Sequence, residues 1–426
     1  MSIPKLKIHF IGIGGIGVSA LARYYLTKGY QITGSDLNSS EITKALEKKG
    51  VKIFIGQKNK NISKDIDLVI YSPAVRPNNL ELKKAKKLGI KCQSYPQALG
   101  ELTKQYFTIA ISGTHGKSTT TAMLGLLLVK AGLDPTVIVG TKVKEFGDSN
   151  YRAGKPIQQA QGKIQYLVIE ACEHEESFLN YSSDIAIITN IEPDHLDYFK
   201  NFNNVKKAFI KFAKKLKKNG ILITQSEYKN SKDEKKLKKI LNIPGKHNVD
   251  NALAALAVAR ALKVSDKISF NALSEYRGSW RRFEIKKGVI NDKQITIISD
   301  YAHHPTEVKA TLRAAREKWP KKEIWCVFQP HQYHRTHCFF NDFVKTLREA
   351  LVDKIIITDI YGVAGREDKE IKEKVNSEKM VKAINKSEVI YLPKEKIIKY
   401  LQENLTGREK VIIMGAGDIY NLIEKF

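Results

Sequence analysis

The stretch YFTIAISGTHGKSTTTAMLGLLLVKAG (106–132) constrains this chain more than any other. An apolar run of strand character leads into a turn bracketed by Gly113 and Gly116, and an apolar helix begins at Lys117. A strand that ends in a glycine turn at a helix N-terminus is a unit of parallel α/β architecture, and its backbone N–H groups point at whatever anion sits in the turn. The phosphate-loop pattern G-x-x-x-x-G-K-[ST] asks for a further glycine that Ala110, Ile111 and Ser112 do not supply, so the loop is a shortened variant. Its chemistry is intact. Gly113, Thr114, His115, Gly116 and Thr119 form the cradle, Lys117 can reach β- and γ-phosphates, and the Ser118 hydroxyl can ligate Mg²⁺. The bland alternative is a plain strand-to-helix turn.

The same strand–turn–helix alternation runs through three blocks, with no internal repeat. Residues 1–103 alternate strands (KIHFIGI, YQITGSD, VKIFIG, DLVIYSPA) with helices, which predicts a Rossmann-like parallel sheet. Residues 104–275 carry the phosphate loop, the strands YLVIEACE and DIAIITNIEPDH, and the alanine-rich helix HNVDNALAALAVARALK, which predicts a P-loop-type ATPase domain on a parallel sheet. Residues 276–426 carry ITIISDYAHHP, EIWCVFQPHQ, DKIIITDIY and KVIIMGAGDIY, each a strand followed by a polar or glycine turn, and read as a second Rossmann-like α/β domain. Ligands of open α/β sheets sit beyond the carboxyl ends of strands, where all of these polar turns fall.

Composition narrows the function classes. No apolar run approaches the roughly 20 residues of a membrane span. The N-terminus runs straight into a strand without a cleavage pattern, and four scattered cysteines show no CxxC spacing, so a cytoplasmic protein with free thiols is expected. The formal charge of +27 could serve a polyanion. The lysines are spread along the chain, however, and KKAKKLG (83–89) and KKLKKNG (214–220) alternate lysine with aliphatics as solvated helix faces do. No nucleic-acid-reading motif accompanies them, so a lysine-rich surface is expected, with anionic small substrates favoured by the field.

Other motifs carry chemistry with less force. Glu170 ends a strand and His195 follows another, so the two could hold a metal beside the phosphates, with Glu173 a competitor for Glu170. GIGGIG (12–17) holds G-x-G-x-x-G between a strand and a helix, and Asp36 ends the next strand. Alone, that fits an NAD-dependent oxidoreductase as well as any nucleotide binder, but a dehydrogenase has no use for a second, phosphate-binding loop. Five of the chain's ten histidines follow two strands of the third block: His303, His304, His331, His334 and His337. Their spacing matches no zinc pattern, and a site for a small zwitterion or phosphate is the better reading.

Taken in order, GTHGKSTT, TNIEPDHLD, HNVDNALAA, RRFE, DYAHHPTEV and FQPHQYHRT resemble the Mur ligase family over essentially the whole chain, with GIGGIG and FQPH…RT most like its alanine-adding member. The resemblance implies three domains: UDP-sugar, ATP and amino-acid binding. It implies ATP-dependent joining of L-alanine to UDP-N-acetylmuramate through an acyl phosphate, by a monomer or homodimer with no nucleic-acid partner. By the matching motifs, Lys117 would stabilise the transferring phosphoryl group, Ser118 and Glu170 one Mg²⁺, and His195 a second. Asn248 and Asn251 would contact adenine, and Arg281 or Arg282 the nucleotide. Tyr301, His303, His331 and Arg335 would frame the alanine, with His303 and Arg335 among the catalytic groups. Gly12, Gly14, Gly15, Gly17, Asp36 and Ser72 would hold the UDP part.

Three departures stand out. The acidic segment after Glu170 reads EACEHEES, Gln332 replaces the arginine common in the alanine-adding member, and Ala302 replaces a common glycine. A ligase of murein tripeptides, which shares an AHHP segment, is the nearest alternative.

Overall fold

In the computed structural model, residues 6–155, 164–229, 231–290, 292–363 and 368–426 are described. They build three α/β domains on three sheets, arranged in two compact units. One unit takes in Met1–Ile191, Lys206–Tyr228 and Ala254–Ala272, and the other Glu192–Val205, Lys229–Leu253 and Leu273–Phe426.

The first unit carries two sheets. In the first sheet, β1 (Lys7–Ile11), β2 (Gln31–Asp36), β3 (Lys52–Ile55), β4 (Leu68–Tyr71) and β5 (Lys91–Ser94) lie in the order β3-β2-β1-β4-β5. Every pairing in it is parallel. The central strand β1 is buried along its apolar length, as a strand covered on both faces must be. The second sheet holds β6 (Phe107–Ser112), β7 (Thr136–Val143), β8 (Ser149–Arg152), β9 (Tyr166–Glu170), β10 (Ser183–Ile188) and β11 (Leu216–Thr224) in the order β11-β10-β6-β9-β7-β8. It is parallel except for β8, which returns antiparallel on β7 and was not foreseen in the sequence. Hydroxyls join the two layers: Tyr24 to Tyr106 at 3.1 Å and Thr27 to Tyr151 at 2.7 Å.

One sequence expectation is corrected here. KKLKKNG is not a helix face: Leu216 to Gly220 open β11, the edge strand of the second sheet. Its lysines keep helix-like company only by composition. Lys217 instead bonds the Tyr106 carbonyl and Asp184, both at 2.8 Å, and Asn219 takes φ of 65° where the register with β10 shifts. Lysine and a bulge are common on edge strands.

The second unit carries the third sheet: β12 (Glu284–Ile290), β13 (Lys293–Asp300), β14 (Ile324–Phe328), β15 (Lys354–Ile357), β16 (Val389–Tyr391) and β17 (Lys410–Met414), in the order β12-β13-β17-β14-β15-β16. Only β12 is antiparallel. All of β14 is buried, with Cys326 and Phe328 in one apolar cluster and Trp325 and Val327 in another, so alternate residues feed the two faces of the sheet. Among the described residues no helix is long and apolar enough to cross a membrane.

Candidate active site

The phosphate loop sits where β6 ends. Gly113 (φ 139°) and Gly116 (φ 83°) take backbone angles that side chains rarely adopt, and a Cβ on Gly113 would run into the Thr189 hydroxyl. The loop is tied to the end of β10. Thr114 N donates to Asn190 O at 3.0 Å and His115 N to Asn190 Oδ1 at 2.8 Å, while Asn190 Nδ2 donates to His115 O at 2.9 Å. The helix Lys117–Lys130 starts directly at the turn with Gly116 as its cap residue and no side-chain cap, which leaves its first N–H groups toward the loop.

Lys117 folds back onto this loop. Its ammonium donates to Gly113 O at 2.6 Å and Thr114 O at 3.0 Å, and pairs with Glu173 Oε2 at 2.9 Å. Burial opposes its charge, but Glu173, with Cys172 and Glu170 behind it, raises its pKa above the ordinary lysine value. Burial, aided by Glu173, also pushes the Cys172 thiol up to about 12, so it stays protonated. Ser118 Oγ donates to Glu170 Oε2 at 2.8 Å, and Gly140 N donates to the same oxygen at 2.8 Å. A hydroxyl and a carboxylate side by side at a phosphate loop are the oxygen donors Mg²⁺ prefers, so the residues present fit that ion.

Two residues of this cluster were missed or misplaced in the sequence reading. Glu173, read from the sequence as a competitor for Glu170, forms the ion pair with Lys117. Gly140 lets Glu170 approach, since a Cβ there would lie 2.5 Å from Oε2. A glycine inside the strand TVIVGTKV was the available signal.

At the first sheet, Gly12, Gly14, Gly15, Gly17, Asp36 and Ser72 do come together. Gly12 N and Ile13 N donate to Ser35 O at 2.8 and 3.0 Å, and Gly15 N to Gly12 O at 3.1 Å. Asp36 Oδ2 accepts from Gly14 N at 2.8 Å, so this carboxylate braces the turn itself. A Cβ on Gly12 would be 3.0 Å from the Ser72 Cβ, and one on Gly17 would be 2.9 Å from the Tyr95 ring. The helix Ile16–Thr27 opens after Gly15 without a side-chain cap, which again leaves N–H groups for an anion.

The second unit gathers the histidines. His195 stands in the left-handed region (φ 51°) ahead of a short helix, with its N–H on Asp194 Oδ1 at 2.7 Å. Asp194 is buried and accepts from Arg335 Nε on Oδ1 at 3.1 Å and from Nη2 on Oδ2 at 3.4 Å. Burial alone would raise the Asp194 carboxyl, but Arg335 first, then His195, His304 and His303, hold it well below the usual range. Arg335 Nη1 also lies 3.2 Å from His331 Nδ1. The His331 ring stacks on Tyr361 at 5.6 Å and meets His303 edge-on at 5.7 Å.

His303 Nδ1 lies 2.9 Å from Tyr301 O and 3.3 Å from Glu307, which makes Nδ1 the protonated nitrogen and leaves Nε2 the acceptor. Burial lowers its pKa to about 4 against the pull of Glu307, so the ring is neutral near pH 7. His304 is structural: Nδ1 caps the helix Pro305–Lys318 through Thr306 N and Nε2 reaches Pro193 O at 3.1 Å. Gln332 precedes the helix Tyr333–Cys338 at φ 68°, and its backbone N–H donates to Tyr361 O at 2.8 Å. Asn248 and Asn251 are buried near the start of the helix Lys246–Ala261, 3.5 Å apart, with Asn248 Nδ2 on Pro244 O at 2.6 Å. Arg281 is buried against three aromatic rings and Arg282 is intermediate in exposure.

The sites can thus offer a phosphate cradle with a lysine and oxygen donors, a second anion-seeking glycine turn, and a histidine–arginine pocket with a neutral imidazole. Family models match residues 7–107 (Mur ligase family, catalytic domain), 111–240 (Mur ligase middle domain) and 281–417 (Mur ligase, glutamate ligase domain). The UDP-N-acetylmuramate–L-alanine ligase of Acetivibrio thermocellus is 41% identical, over 98% of this chain and 95% of that protein. The crystal structure of the UDP-N-acetylmuramate-alanine ligase MurC of Thermotoga maritima superposes with a TM-score of 0.79 at 28% identity, over 99% of this chain and 98% of that one. A murein peptide ligase from Psychrobacter arcticus superposes with a TM-score of 0.72 at 25% identity, over 99% and 98%.

Proposed function

The chain belongs to the Mur ligase family, and from that premise we propose that it is an ATP-dependent ligase joining L-alanine to the lactyl carboxylate of UDP-N-acetylmuramate, a cytoplasmic step of peptidoglycan precursor synthesis. The observation that carries the reading is full-length identity of 41% to a UDP-N-acetylmuramate–L-alanine ligase. The geometry of the phosphate loop agrees with it. We divide the work at residues 1–103 for the UDP-sugar, 104–275 for ATP and 276–426 for the amino acid.

In the first step the lactyl carboxylate attacks the γ-phosphorus of ATP. The bond to the β,γ-bridging oxygen breaks, leaving ADP and an acyl phosphate. Lys117 exchanges its loop carbonyls and Glu173 for the β- and γ-phosphates and neutralises the charge that builds there. Ser118 and Glu170 would hold one Mg²⁺ and His195 a second; bound there, the ions would shield phosphate charge. Asn248 and Asn251 face adenine, and one of Arg281 and Arg282 the nucleotide. The glycine turn 12–17, with Asp36 and Ser72, holds the UDP part.

In the second step the alanine amine attacks the acyl carbon, the carbon–oxygen bond to phosphate breaks, and an amide forms. Tyr301, His303, His331 and Arg335 frame the alanine. The amine attacks as the free base, and the proton it sheds on becoming an amide leaves with the phosphate; we assign His303 Nε2, neutral and fixed by the Tyr301 carbonyl, to accept a hydrogen bond from the amine and aim it.

A phosphate-release assay with ATP, UDP-N-acetylmuramate and a panel of amino acids tests the reading. Release should require both UDP-N-acetylmuramate and L-alanine. Release driven by the tripeptide L-Ala-γ-D-Glu-meso-diaminopimelate and not by alanine would replace it with the murein-tripeptide alternative.

A further inference from the structure

Arg281 and Arg282 are neighbours in sequence and differ in placement. The turn that carries them begins at Gly278 (φ 94°), and both Arg281 (φ 54°) and Phe283 (φ 48°) adopt left-handed backbone angles. Such angles at non-glycine residues cost energy and persist only where the surroundings impose them. The result is that Arg281 turns inward and is 4% exposed. Its guanidinium donates to the carbonyls of Gly415 and Gly417, and stacks against Tyr420 at 4.2 Å, Tyr301 at 4.7 Å and Trp280 at 5.5 Å. Its own carbonyl accepts from Tyr301 N at 2.8 Å. A buried guanidinium used this way is a clamp, because one nitrogen, Nη2, holds both carbonyls while the planar group packs against the rings.

The clamp bears on two walls of the histidine pocket. On one side it holds Tyr301, whose carbonyl orients His303. On the other it holds the glycine turn after β17. There, a Cβ on Gly417 would lie 2.5 Å from the Tyr361 ring and 2.5 Å from Gln329 Oε1. Tyr361 in turn stacks on His331 with an interplanar angle of 8°. His303 and His331 therefore both lean, through one aromatic neighbour each, on the same guanidinium.

We propose that Arg281 is a positioning residue for the amino-acid substrate, setting Tyr301 with His303 and Tyr361 with His331, and that it does not contact the nucleotide. This rests on the placement of the amino-acid pocket in the proposed function. It assigns the nucleotide contact of the arginine pair to Arg282.

The test is steady-state kinetics on the full chain. Wild-type enzyme is first shown to release phosphate in an alanine-dependent way; if it does not, the functional reading fails rather than this one. Arg281→Lys keeps the charge and loses the planar guanidinium that packs on the three rings. It should raise KM for L-alanine at least tenfold while KM for ATP stays within twofold. Arg282→Ala should raise KM for ATP at least tenfold, with a smaller rise in KM for L-alanine because its guanidinium also packs on the Tyr301 ring at 4.8 Å. Gly417→Ala, which adds a Cβ against the Tyr361 ring while both arginine side chains stay in the chain, should reproduce the alanine-selective effect. Unchanged alanine kinetics in Arg281→Lys, or a rise in KM for ATP as large as that for alanine, overturns the proposal. Loss of the folded state in both Arg281→Lys and Gly417→Ala overturns it too, since the clamp would then serve the fold and not the pocket.

Discussion

Asp194 and Arg335, 141 residues apart, form a buried ion pair in which Nε donates to Oδ1 at 3.1 Å and Nη2 to Oδ2 at 3.4 Å. The pair joins the segment that carries His195 to the helix that carries Arg335, within one compact unit. Arg335 therefore enters the histidine pocket already committed on one edge, with Nη1 toward His331. The pocket's cation is held by the chain before any substrate arrives, which is the preorganisation that charge stabilisation requires.

Removing one member leaves a buried charge without its partner. Arg335→Ala should destabilise the fold by about 3–5 kcal/mol, and Asp194→Leu combined with Arg335→Met should recover most of that loss. Denaturant unfolding monitored on the full chain measures both. A single variant within about 1 kcal/mol of wild type would mean the pair behaves as a solvated surface contact.

Lys117→Ala should abolish phosphate release while the helix Lys117–Lys130 stays formed, because that helix is anchored by buried apolar residues beyond its first turn. Loss of a lysine that neutralises a transferring phosphoryl group costs on the order of 3–4 kcal/mol of transition-state stabilisation, or several hundredfold in kcat. Near-normal release from a folded variant would remove Lys117 from the reaction.

The glycine turn of the first sheet should respond to the UDP-sugar alone. A Cβ on Gly14 would lie 2.9 Å from Asp36 Oδ2, so Gly14→Ala forces that carboxylate off the turn. KM for UDP-N-acetylmuramate should rise roughly tenfold, a loss of about 1.4 kcal/mol, with KM for ATP unchanged. In wild type, UDP-N-acetylmuramate should raise the melting temperature and NAD should not, since only a ligand of the folded state stabilises it. A shift with NAD and none with the UDP-sugar would return this turn to the oxidoreductase reading.

His303 gives a pH dependence with a definite sign. Its folded pKa of about 4 lies below the ordinary histidine value of 6.5, so the folded state resists its protonation. The stability this contributes is fully present above about pH 6.5 and is lost as pH falls toward 4. The loss reaches at most about 3 kcal/mol, less what water at the exposed edge of the ring recovers. Unfolding measured at pH 7 and pH 5 should show a smaller acid loss in His303→Gln than in wild type. Equal losses would place the acid sensitivity elsewhere.

What the sequence made legible is local. Strand, glycine loop and helix are contiguous in 106–132, so the phosphate cradle could be read from hydrophobic pattern and loop chemistry together. Gly12 to Gly17 were legible for the same reason. The pairings that tune these loops were not. Glu173 lies 56 residues from Lys117, and Asp194 lies 141 from Arg335, so only the fold brings each pair together. Asp194 was overlooked beside His195 because nothing in DHLD says which of the two faces a cation. The opposite fates of Arg281 and Arg282 depend on left-handed backbone angles that no side-chain pattern announces. The edge strand β11 was hidden because lysines between aliphatics suit a wet helix face and a wet sheet border equally well.

That border has a consequence for the chain in crowded solution. β11 ends the second sheet with one row of backbone donors and acceptors that no strand among the described residues covers. Lys217 is drawn inward to Asp184, Lys218 stands exposed, and the backbone twists at Asn219, so a second copy approaching in register would bring lysine against lysine on a surface that no longer runs straight. Neutralising these positions should leave catalysis alone and show itself instead as turbidity on standing, a defect of colloidal behaviour in a fully competent molecule.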